Sequence, residues 1–126
     1  MAALILDTGA LIAIDRGDRV VGALLHEAAR AGIDAVSSCV CVAEAWRDPA
    51  RQARLSHALA GILECPLDTR SSRQCGALLA RSRTSDVADA ALSLLAGTDD
   101  VVITGDAGDI THLLETIGSR ARVRAV

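Results

Sequence analysis

The chain has 126 residues, 51% of them hydrophobic, enough for one domain with a packed core and too few for two ordinary ones. Aromatic content is 1%, with Trp46 as the one large ring, so single-strand binding by base stacking on an aromatic platform is disfavoured. Formal net charge is -3, and every basic residue is arginine, which rules out a nucleotide-binding phosphate loop because that loop needs a lysine.

Residues 2–6 are a short continuous apolar run ending at Asp7-Thr8-Gly9, the pattern of a strand buried on both faces and therefore central in a sheet. Helices are expected over 10–14 and 19–31, the second closed by Gly32. A second strand over 33–36 leads to Ser37 and Ser38, either of which can cap a helix over 39–47. Pro49 predicts a fresh helix start running to residue 60, followed by a strand over 62–67. Asp68 or Thr69 caps the next helix, which runs to residue 81. Residues 81–85 form the most polar connection and the expected mobile loop. Thr84-Ser85-Asp86 offers caps to a helix over 87–96 closed by Gly97, and 101–104 is a further apolar strand. A helix over 108–117 and a strand over 122–126 close the chain.

Strands alternating with helices predict an α/β fold of three layers, α/β/α, around a central parallel sheet, as a single domain over 1–126. No apolar run approaches the roughly 20 residues of a membrane helix, and the opening segment is too soon charged for a signal peptide. A cytoplasmic protein with no membrane association is expected. Cys39, Cys41, Cys65 and Cys75 lack zinc-ligand spacing and read as small core residues, while His26, His57 and His112 are isolated.

Candidate chemistry lies in the acids. Asp7 and Asp106 each follow an apolar strand, and in open α/β sheets ligands bind beyond the carboxyl ends of strands. Asp86 and Asp89 are one turn apart near a helix N-terminus, and Glu44 stands alone among apolar helical neighbours. Gathered without interposed basic residues, such carboxylates call for protons or a hard divalent ion. Each also has a plainer use: Asp7, Asp86 and Asp106 as helix caps, Glu44 as a solvated residue.

At these positions the sequence resembles the PIN-domain family over nearly its whole length. The resemblance rests on Leu4-Ile5-Leu6-Asp7-Thr8, Val42-Ala43-Glu44-Ala45-Trp46, the helix Asp89-Ala90 through Ala96, and Val101-Val102-Ile103-Thr104-Gly105-Asp106 followed by Asp109-Ile110. Gly105 departs from the family's serine. The likeness to compact members implies a VapC-type toxin: a metal-dependent ribonuclease of a toxin–antitoxin pair, pairing as a homodimer and restrained by an antitoxin protein. It further implies that Asp7, Glu44, Asp89 and Asp106 are catalytic and hold Mg²⁺ or Mn²⁺ together with Asp86. Thr8, Thr104 and Asp109 are auxiliary in this reading.

Arg47, Arg51 and Arg54 at helical spacing, with Arg73, Arg81 and Arg83 beside the active-site helix, are the expected RNA-binding residues, the alternative being a solvated helix face. An apolar groove for the antitoxin is expected between Ile12 and Leu25, with Leu55, Leu59 and Ile62 as further candidates. The rival function is a catalytically silent scaffold of the same fold. An aspartyl-nucleophile phosphatase is disfavoured because Gly9 stands where the second aspartate is needed.

Overall fold

The structure, a computed structural model, describes residues 2–126. Five parallel strands, β1 (Leu4–Leu6), β2 (Ala35–Ser38), β3 (Ile62–Cys65), β4 (Val101–Thr104) and β5 (Arg122–Ala125), form one sheet in the order β3-β2-β1-β4-β5. β1 is central, as its apolar run implies: Ile5 and Leu6 point to opposite faces and are 1% and 0% exposed. Burying each such side chain stabilises the fold by about 1.5–3 kcal/mol.

Seven helices join the strands among the described residues: α1 (Thr8–Asp15), α2 (Arg19–Arg30), α3 (Cys39–Ala45), α4 (Ala53–Leu59), α5 (Thr69–Ser82), α6 (Val87–Ser93) and α7 (Ala107–Thr116). From β1 the chain winds outward to β2 and β3, then returns across to β4 and β5. Right-handed crossovers in opposite directions put their helices on opposite faces, giving the three α/β/α layers. α1 packs against α2, α3 and α4, while α5, α6 and α7 pack against one another around Cys75, Leu78, Ala90, Ala91 and Leu113. The winding reverses between β1 and β4, the switch point at whose carboxyl-end crevice ligands bind in open α/β sheets.

Several boundaries differ from the sequence expectation. Pro49 does not start a helix. Instead Gln52, 7% exposed, accepts from the backbone N–H groups of Arg47 and Asp48 at 2.7 and 3.0 Å and donates to the Ala45 carbonyl at 2.9 Å. That amide fastens 46–52 as a compact connection, so α4 begins only at Ala53. β2 lies two residues later than expected, because the Ser37 hydroxyl donates to the Leu6 carbonyl at 2.7 Å and so enters the sheet without an unmet polar group. Ser38 then caps α3. α6 stops at Ser93 rather than 96, the next residues tightening into a turn with Leu95 N–H on the Leu92 carbonyl. Asp68, not Thr69, caps α5 through a reciprocal pair of hydrogen bonds with Ser71. The 81–85 connection is held by the Ser82–Thr84 hydroxyl contact and by His112 on the Ser82 carbonyl, both 2.8 Å.

Of the cysteines, Cys41 and Cys75 are core residues as expected, whereas Cys39 is exposed and Cys65 half-buried. Cys39 opens α3 beyond the carboxyl end of β2 and Cys65 ends the edge strand β3, positions the core does not cover. No helix among the described residues is long and apolar enough to cross a membrane.

Candidate metal centre

Three helices begin around the crevice, and each is capped by an aspartate. Asp7 accepts from the Ala10 N–H at 2.8 Å at the head of α1, and Asp86 from the Asp89 N–H at 2.9 Å at the head of α6. Asp106 accepts from the Asp109 N–H at 3.4 Å at the head of α7. The plain role as caps is therefore real for all three. Capping uses one carboxylate oxygen of each and leaves the second for other partners, in the favourable field of a helix N-terminus.

Asp7 is the most firmly held. It is 2% exposed, and its second oxygen accepts from the Thr104 hydroxyl at 2.5 Å and from the Gly105 N–H at 3.2 Å. The Thr104 oxygen in turn accepts from the Asp106 N–H at 2.8 Å, so one hydroxyl ties the turn after β1 to the turn after β4. Burial pushes the Asp7 carboxyl above its usual range, opposed by these hydrogen bonds.

The two turns meet at glycines. A Cβ on Gly9 would lie 2.7 Å from the Gly105 Cα, and one on Gly105 would lie 3.1 Å from the Gly9 Cα. Gly105 thus has a packing reason: a serine there would push on Gly9. The close approach is what lets Thr104 reach Asp7.

Asp89, Asp106 and Asp109 come closest to a ligand set: each can place one carboxylate oxygen so that all three lie within 4.8 Å of one another. Asp89 is buried in α6, and burial, followed by the negative charges of Asp86, Asp7, Asp106 and Asp109, pushes its carboxyl up to about 7. Asp109 is also raised, chiefly by a hydrogen bond with the Asp106 carboxyl and then by that group's charge. Among the described residues the only ion pairs are Arg30–Glu27 at 3.2 Å and Arg51–Asp48 at 3.8 Å, so no arginine pairs with the cluster, and His112, one turn along α7, only partly opposes the rise at Asp109. All-oxygen donors, mutual repulsion and no paired protein cation fit a hard divalent ion such as Mg²⁺ or Mn²⁺.

Glu44 approaches from α3. It is exposed, and its Oε1 accepts from the Thr8 hydroxyl at 2.7 Å, which places it beside Asp7 but outside the closest trio. Asp109, expected as an auxiliary, belongs to that trio. Its spacing of one turn from Asp106, mirroring Asp86 and Asp89, is the sequence signal for this role. Gly9 carried no such signal, since its close contact is with a residue 96 positions away in the chain.

The arginines do not form the expected stripe. Arg47 and Arg51 lie in the connection before α4, and only Arg54 is helical. Arg47 donates to the carbonyls of Ala43 and Trp46 at 3.0 and 2.6 Å, while Arg54 lies against Gly17. The Gln52 connection is the physical reason the helical spacing fails. Arg81 donates to the Thr116 carbonyl at 2.8 Å, and Arg83 is exposed at the left-handed end of α5, φ 58°, leading toward α6.

Among the expected groove residues, Leu55 and Ile62 are core, 0% and 7% exposed, because α4 and β3 close on them. Leu25 and Ile62 nevertheless reach the wall of a cavity of about 590 Å³ between α2, α4 and β3, which Ile14, Ala58, Arg54 and His57 also line. Compared with protein-family models and with curated proteins, the chain matches none.

Proposed function

We propose that this chain is a metal-dependent endoribonuclease of the PIN-domain kind, the VapC-type toxin of a toxin–antitoxin pair. The observation that carries the reading is the convergence of Asp89, Asp106 and Asp109 beside Asp7, Asp86 and Glu44, with no ion-paired base among them. Structural carboxylates are not normally assembled in this way, because each added charge raises the cost of the next.

Asp89, Asp106 and Asp109 would hold Mg²⁺ or Mn²⁺, with Asp7, Asp86 and Glu44 close enough to complete the set or to hold coordinated water. A metal there supplies a water of lowered pKa and stabilises charge on the scissile phosphate and leaving oxygen. The chain's own residues fix the geometry. Thr104 and Gly105 hold Asp7, Thr8 holds Glu44, and the Ala-rich surroundings of Asp89 keep its carboxyl from turning to solvent. No histidine is needed as acid or base.

In the same reading the cavity between α2, α4 and β3 receives an apolar segment of the antitoxin, and the toxin acts in the cytoplasm as a homodimer. The test is incubation of purified protein with total cellular RNA and Mg²⁺ or Mn²⁺, beside Asp7→Asn and EDTA controls. Discrete fragments from the unmodified protein alone are expected, and their ends identify the target. Intact RNA from protein that binds Mn²⁺ would replace the nuclease reading with the silent scaffold.

A further inference from the structure

We infer that the RNA backbone reaches the carboxylate site across the face made by α2 and β5, held by Arg16, Arg19 and Arg124. The inference rests on the ribonuclease reading and concerns how its substrate is gripped. An acidic site repels the phosphates it must cut, and a chain of net charge -3 offers no general attraction, so cations must be concentrated locally beside the site.

Half of the arginines expected for this work are engaged elsewhere. Arg47 and Arg81 donate to backbone carbonyls, and Arg51 pairs with Asp48. Arg16, Arg19 and Arg124 are exposed and ion-paired with nothing among the described residues. Arg19 and Arg124 line one shallow depression of about 330 Å³ with Val20, Ala23 and Leu24. Arg16 lines a second, also about 330 Å³, whose wall includes Gly9 and Val126.

The acids in these depressions do not cancel the arginines. Asp18 caps α2 through the N–H groups of Val20 and Val21 at 2.9 and 3.0 Å and keeps its charge, and Glu27 pairs with Arg30, so three arginines face one unpaired carboxylate. The second depression adjoins the turns that hold Asp7, through Gly9 and Val126. Its Val126 donates from the backbone to the Thr104 carbonyl at 2.9 Å, and Thr104 is the residue bonded to Asp7. Its Gly9 adjoins Gly105 with no side chain between them, a bare floor over which a sugar-phosphate backbone can pass. Arg122 stands on the same side of β5 as Arg124, by the alternation about Val123, and extends the track outward.

The test is equilibrium binding of fluorescently labelled bulk tRNA in an Asp7→Asn background, which prevents cleavage. Arg16→Ala/Arg19→Ala/Arg124→Ala is compared with Arg70→Ala on α5, all four being exposed, and melting curves verify that each protein is folded. The triple variant is expected to lose about tenfold or more in affinity at about 150 mM salt, and its slope of log K against log salt to fall by about 2–3. The α5 control keeps both. Equal affinity and slope in the triple variant would overturn the track while leaving the nuclease reading standing, because Mn²⁺-dependent cleavage by the unmodified protein is measured in parallel. Absence of both cleavage and binding would overturn both. Displacement of the tRNA by poly-glutamate at equal charge would overturn it in favour of an acidic protein partner.

Discussion

α6 and α4 are both seven residues long, yet they are opposites. In α6 every residue from Ala88 to Ser93 is buried, and its cap Asp86 bonds the Asp89 N–H, whereas α4 buries only Leu55 and its N-cap Gln52 makes no capping bond. α6 is wedged among α3, α5 and α7, while α4 lies over α1 and β3 with an outer face to solvent. A charged residue inside α4 could be solvated at no cost. Asp89 inside α6 is instead desolvated among alanines, an arrangement that opposes folding unless its charge is met. The difference teaches where to look for chemistry: in the helix whose burial and charge conflict.

The largest effect separating the two helices is expected in activity. Asp89→Asn removes one charge and little volume, so RNA cleavage falls to background while the metal-free protein at pH 8 melts no lower than the unmodified one. Ser56→Ala on exposed α4 changes neither. A variant at Asp89 that retained cleavage would break the comparison.

Stability sharpens it from the other side, because the one buried residue of α4 is pure packing. Leu55→Ala is expected to cost about 2–5 kcal/mol, read by urea unfolding, with cleavage retained in the folded fraction. Gly9→Ala should cost less, about 1–3 kcal/mol, but should also depress cleavage, since its Cβ can be accommodated only by parting the turns that hold Asp7.

A smaller effect follows from pH. Asp89 has its carboxyl raised from 3.8 to about 7, so the folded state keeps a proton that the unfolded chain loses. The resulting stabilisation is full below about pH 4 and is lost as pH rises through about 7. Metal-free protein should therefore show a urea midpoint that declines between pH 5 and 8, a decline reduced in Asp89→Asn. Mn²⁺ affinity should rise over the same interval, because binding displaces that proton. The smallest effect concerns thiols. Burial pushes the Cys41 thiol up to about 12, so a disulfide reagent at pH 8 should modify exposed Cys39 quickly and Cys41 only on unfolding.

The contrast between these helices also explains what was legible in the sequence. α6 carried three signals that agree: an aspartate cap, apolar periodicity and an acid one turn in. The parallel sheet was legible in the same way, since the runs at 4–6 and 101–104 admit few other readings. α4 misled because Pro49 is a good helix starter locally, and only the tertiary bonds of Gln52 to Ala45, Arg47 and Asp48 prevent it. The acids of the site were nameable one by one from their places after strands and at helix starts. Their place on one sheet edge was expected from the strand ends, but the contacts that join them were not, because Asp7 and Asp106 meet through Thr104, and Gly9 meets Gly105, across nearly the whole length of the chain. The arginines misled for a simpler reason: helical spacing says nothing about residues that do not share a helix.

The most direct measurement is calorimetric titration of Mn²⁺ into the protein at about pH 7.5, alongside Asp89→Asn and Asp106→Asn. Saturable binding by the unmodified protein, weakened at least about tenfold in each variant, is the predicted result. Absence of saturable binding up to millimolar Mn²⁺, or equal binding by all three proteins, would contradict a metal centre at the β1–β4 crevice.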